Sequence, residues 1–130
     1  MTKSFGDKPN PEQLSPLVLA YIGDAVYELF VRQILISRTN CPVHRLHKLA
    51  TKHVNCAAQA TAFHKIENSL TEEELAVFRR GRNTKSSVPK NADMADYRTA
   101  TGLEALFGYW YCKNEMNKIW DTISYLLEEE

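Results

Sequence analysis

Two acids stand where acids are costly. Asp24 lies in the segment AYIGDAVYELF, residues 20–30, and Glu104 in TGLEALFGYWY, residues 101–111. Bulky apolar residues flank each of them, in segments that read as helices buried on most sides. A carboxylate taken out of water needs a cationic partner, a raised pKa or a metal ion. Two carboxylates meeting between helices make a hard-oxygen site suited to Mg²⁺, with Mn²⁺ able to substitute. Glu28 lies one turn from Asp24 on the same helix face and is a candidate third ligand. Gly23, Gly102 and Gly108 remove side chains close to the two acids. They let two helices approach closely, or admit a phosphate backbone. The plainer reading pairs Asp24 with Arg98 or Arg32 and leaves Glu104 on an exposed stripe. Pattern alone does not separate these readings.

The elements that must position these acids are helical. Ser15-Pro16 reads as a cap followed by proline in the first turn. The segment from Leu17 to Ile36 then contains no proline and is apolar on nearly every side, as a central or interface helix would be. Cys41-Pro42 opens a second helix reaching about His64, with a basic outer face. Thr71 with Glu74 reads as a capping box for a third helix, which Gly81 is expected to end. Residues 82–90 (RNTKSSVPK) read as a polar loop. A fourth helix is expected over about Asp93–Tyr111 and a last one from about Asn114. No segment alternates as a strand would, so the fold class is all-α, with five or six helices. Residues 1–13 read as a flexible tail, and residues 14–130 as one domain.

With 130 residues, 44% of them hydrophobic, the chain is long enough to bury a core. Lysines and arginines equal aspartates and glutamates at 16 each, so this is no simple polycation. The charge is nevertheless segregated. Between Glu28 and Glu67 there is no acid, while Arg32, Arg38, Arg45, Lys48, Lys52, Lys65 and all four histidines fall there. Such segregation creates a local positive field at zero net charge. Arg79, Arg80, Arg82, Asn83 and Lys85, with Lys90, are the first candidates for contacts to a polyanionic partner. Arg45, Lys48 and Lys52 are a second set. Cys41, His44 and His47 are spaced like metal ligands but lack a fourth partner, which argues against zinc. Three widely spaced cysteines form no disulfide framework. With no signal segment and no apolar run of membrane-spanning length, the expectation is a cytoplasmic protein. Trp110, Tyr111, Trp120 and Tyr125 read as core or dimer packing.

The segments YIGDAVYE (residues 21–28) and YRTATGLEALFG (residues 97–108) resemble the signature and late helices of the ribonuclease III catalytic domain. They are most similar to the stand-alone Mini-ribonuclease III family. Residues 81–86 (GRNTKS) and 89–92 (PKNA) share the likeness, which covers about residues 14–127. The resemblance implies a bacterial helical endonuclease domain that works as an obligate homodimer. It would cleave double-stranded RNA with divalent metal, leaving 5′-phosphate and 3′-hydroxyl ends, and would mature both ends of the 23S ribosomal RNA precursor. A ribosomal protein is a candidate helper, and no separate double-stranded-RNA-binding domain is expected. Larger ribonuclease III enzymes carry further acids where this sequence has Leu17, Ala20 and Thr101. Only Asp24 and Glu104 therefore carry over as catalytic and metal-binding residues. The alternative is a non-catalytic double-stranded-RNA-binding helical dimer, as would follow had the lost acids disabled the site.

Overall fold

The computed structural model describes residue 4 and residues 6–128. Six α-helices and two single 3-10 turns make up its regular structure: α1 (Pro16–Arg38), α2 (Val43–Thr51), α3 (Cys56–Ile66), α4 (Glu72–Asn83), α5 (Met94–Cys112) and α6 (Met116–Leu126). No strand occurs among the described residues, as the pattern predicts. No helix among them is long and apolar enough to cross a membrane.

Four of the six helices, α1, α3, α4 and α5, start where a side chain satisfies a free N–H group. Ser15 Oγ accepts from the Val18 amide at 3.3 Å, with Pro16 in the first turn of α1. Asn55 opens α3, accepting from Ala58 N–H at 2.9 Å, and Asp93 opens α5. Thr71 and Glu74 form the expected capping box on α4. Glu74 does more: it is buried, and accepts from Trp110 Nε1 at 2.9 Å and Lys118 Nζ at 2.6 Å. One carboxylate thus ties α4 to α5 and α6.

α5 is the hub, touching α1, α3, α4 and α6, while α2 packs on α1. Every residue from Ala100 to Trp110 is buried except Glu104, which is half-buried. Phe63 of α3 stacks on Phe78 of α4 with ring centroids 3.6 Å apart. Tyr27 of α1 meets Phe107 of α5 edge-on at 4.9 Å. Such pairs add directional contact to area burial.

Three expectations are corrected. The expected second helix is two helices, because the chain turns at residues 52–55 and Asn55 caps a new start. α4 does not stop at Gly81 but runs to Asn83. Gly81 is not in the left-handed conformation of a terminating glycine; it is buried, and a Cβ there would lie 3.0 Å from the Gly102 Cα. Its smallness serves helix contact. Finally, α1 is not apolar on all sides in a buried sense. Val18, Tyr21, Leu29 and Ile36 are exposed along one stripe of the helix. Among the aromatics, Trp110 is core and Trp120 packs on Phe30, whereas Tyr125 is exposed.

Candidate active site

The two acids meet because glycines let α1 and α5 touch backbone to backbone. A Cβ at Gly23 would fall 1.7 Å from the carbonyl oxygen of Glu104, and one at Gly108 would fall 2.0 Å from that of Leu19. No side chain fits between the helices at either point. Asp24, next to Gly23, is thereby held against Glu104. Gly102 plays no part in this crossing; it takes the Phe78 ring of α4 instead.

The carboxyl groups of Asp24 and Glu104 line one cleft of about 220 Å³, together with Tyr21, Ser86 and Tyr97. Leu17, Ala20 and Thr101 line the same cleft. The sequence predicts burial for both acids, and that is corrected for Asp24, which is exposed. Glu104 carries the strain. Burial, then the adjacent Asp24 charge, then a hydrogen bond with Asp24 raise its pKa to about 8. Gln59 of α3 opposes the rise by donating Nε2–H to Glu104 Oε2 at 3.4 Å. Two carboxyls forced together in a cleft, one holding a proton that a cation would replace, are a fit donor pair for a divalent ion. Mg²⁺ commonly takes one or two protein carboxylates and fills the remaining positions with water and phosphate.

Glu28 is not brought to this pair. It forms an ion pair with Arg32 along α1, so Arg32 is not the partner of Asp24. Among the described residues, no group of three or more His, Cys, Asp or Glu side chains could hold a metal.

The basic candidates divide. Arg79, Arg80, Arg82 and Asn83 lie on the last turns of α4 rather than in a loop. Lys85 and Lys90 are exposed in the segment leading to α5, where Ser86 reaches the cleft wall. Arg82 and Asn83 share a hollow with Arg98, a cation that sequence reading cast only as a structural partner. Arg80 lies apart, in a hollow shared with Glu12 and Glu73. Arg45, Lys48 and Lys52 are exposed on and beside α2. Sequence reading also missed Gln59, Ser86 and Tyr97. A polar residue between two alanines, or within a polar loop, carries no visible sign of what it faces.

A ribonuclease III domain profile matches residues 17–115, which span the cleft and every helix but α6. The chain belongs to the ribonuclease III family. Like the family, it is an endoribonuclease specific for double-stranded RNA, and the family is in general metal-dependent. Among similar proteins, the Mini-ribonuclease 3 of Clostridium tetani is 48% identical over 114 residues, 86% of this chain and 76% of that one. The Mini-ribonuclease 3 of Symbiobacterium thermophilum is 45% identical over 115 residues, 88% of each chain. That of Enterococcus faecalis is 39% identical over 121 residues, covering 91% and 92%. An X-ray structure of a protein from Fusobacterium nucleatum superposes with a TM-score of 0.82 at 30% identity, covering 90% of this ribonuclease III chain and 94% of that chain.

Proposed function

We propose that Asp24 and Glu104 hold one divalent cation, Mg²⁺ or in its place Mn²⁺, at the scissile phosphate of an RNA duplex, and that the duplex is formed by the ends of the 23S ribosomal RNA precursor. The observation that carries this reading is the meeting of the two acids in a cleft whose other walls include Leu17, Ala20 and Thr101. When bound, such a cation acidifies a water molecule and neutralises charge gathering on the phosphate. The protein's own part is to fix the two carboxylates through the Gly23 and Gly108 contacts, to give up the Glu104 proton, and to seat the duplex. With few protein ligands, such a cation would leave its remaining positions to water and phosphate oxygens.

Seating falls to the cations around the cleft. Arg79, Arg82, Asn83, Lys85 and Lys90 flank the segment that contributes Ser86, and suit backbone contacts across a minor groove. Arg45, Lys48 and Lys52 form the secondary surface. Arg80, placed beside two acids, is the weakest member of the set. The reading includes cytoplasmic action, where the RNA precursor is, and a homodimer. The exposed stripe of Val18, Tyr21, Leu29 and Ile36 is of the kind a second copy buries; sedimentation showing only monomer at micromolar concentration would remove that part. A ribosomal protein remains a candidate helper.

The test is cleavage of a perfect RNA duplex by the wild type and by Asp24→Asn, in Mg²⁺ and in EDTA. Even groups one step removed from a metal typically cost about 10–100-fold when altered. Asp24→Asn, at the metal itself, is expected to lose at least about 100-fold in rate while keeping its fold and duplex affinity. Unchanged cleavage in that variant rules out the assignment. Binding without cleavage by the wild type would favour the non-catalytic dimer.

A further inference from the structure

Three polar or charged side chains are buried among the described residues: Gln59, Glu74 and Thr101. Two serve the scaffold. Glu74 receives Trp110 and Lys118, and Thr101 donates to the Tyr97 carbonyl at 3.0 Å. Gln59 is 4% exposed, and its partner is the cleft carboxylate of Glu104. A carboxamide in an apolar interior costs free energy unless it is hydrogen-bonded. Here its donor goes to a group that already suffers from burial and from a neighbouring acid.

The residue type matters. A lysine or arginine at this place would pair with Glu104, cancel its charge and compete with any cation. A carboxamide donates a hydrogen bond without bringing a charge. Its bond goes to one carboxylate oxygen, Oε2 of Glu104. The 3.4 Å separation is near the long limit for such a bond, and it would tighten as the acceptor ionises. The support behind Gln59 is stiff. Asn55 caps α3 one turn earlier and donates from Nδ2 to the Thr51 carbonyl at 2.9 Å, fixing the α2–α3 corner. Phe63, one turn later, stacks on Phe78.

We propose that Gln59 is a positioning residue, which holds the Glu104 carboxylate in the orientation that receives the cation without neutralising it. The inference rests on the metal-site reading above. Groups that orient metal-binding carboxylates typically change affinity or activity about 10–100-fold when altered.

The test uses Gln59→Met, which keeps length and apolar bulk but removes the donor. Its readouts are Mn²⁺ binding by electron paramagnetic resonance, the Mg²⁺ concentration giving half-maximal cleavage, the KM for duplex RNA, and thermal unfolding. The expected result is an Mn²⁺ dissociation constant about 10–100-fold weaker, a matching rise in the Mg²⁺ requirement, recovery of rate at saturating metal, and an unchanged KM for RNA. Wild-type Mn²⁺ affinity in folded Gln59→Met overturns the proposal. Should that variant fail to fold, Gln59→Asn keeps the carboxamide but draws it back by one methylene. Weaker Mn²⁺ binding by it supports the proposal, and unchanged binding overturns it. Asp24→Asn separates the two levels. If it binds Mn²⁺ like the wild type, the metal-site reading itself fails. If it loses Mn²⁺ while Gln59→Met keeps it, only the role of Gln59 fails.

Discussion

Glu104 sits between one neighbour that favours its proton and one that opposes it. Burial and Asp24 raise its pKa from 4.5 to about 8, against the hydrogen bond from Gln59. An unfolded chain releases this proton near 4.5, the folded chain near 8. Between those values the folded state holds the extra proton, so the metal-free protein loses stability as pH rises from 4.5 to about 8 and levels off above. Denaturant midpoints measured in EDTA across that window should fall for the wild type, and less steeply for Glu104→Gln. Identical slopes would refute the assignment of that proton to Glu104. At this scale the sequence was partly legible. An acid within TGLEALFGYWY is anomalous by type alone, and Glu104 proved the strained member. Asp24 looked equally anomalous, yet faces solvent, because the apolar residues around it on α1 include an exposed stripe. Gln59 was not legible, since its neighbours Ala58 and Ala60 do not reveal that its face of α3 looks onto a carboxylate.

At the scale of elements, the site is the product of one helix crossing. Gly23 against Glu104 and Gly108 against Leu19 fix how near α1 and α5 come. Gly23→Ala places a methyl where a backbone carbonyl already stands, and that carbonyl has no rotamer by which to yield. Overpacking of this kind typically costs about 1–3 kcal/mol and sometimes more. The cost should register as a lower unfolding midpoint, together with a loss of cleavage larger than stability explains, because the carboxylates part. Full activity in a destabilised Gly23→Ala would show that the crossing does not set the site. Capping signals at Ser15 and Thr71 were legible because they act within one turn. Gly81 misled because a glycine near a helix end serves equally as a terminator or as a contact, and only the packed partner, here α5, decides which.

For the whole molecule, zero net charge conceals two acid-free basic regions, and the RNA backbone carries charge of one sign. Attraction to RNA is then local and sensitive to salt. Replacing Arg82 and Lys85 together with Glu should weaken duplex binding and flatten its dependence on salt, by about one unit of slope for each phosphate no longer neutralised. Equal slopes for variant and wild type would show that these residues do not touch the backbone. The all-α class was legible from periodicity, whereas the hub role of α5 was not, because it follows from what packs around a helix and not from its own pattern. That role has a kinetic consequence. Glu104 is anchored in a stretch of α5 that is otherwise buried from Ala100 to Trp110, so the geometry of the proposed site cannot fray as a loop-borne site would. Heat should extinguish activity and structure in one step, with no warm, folded and inactive intermediate between them.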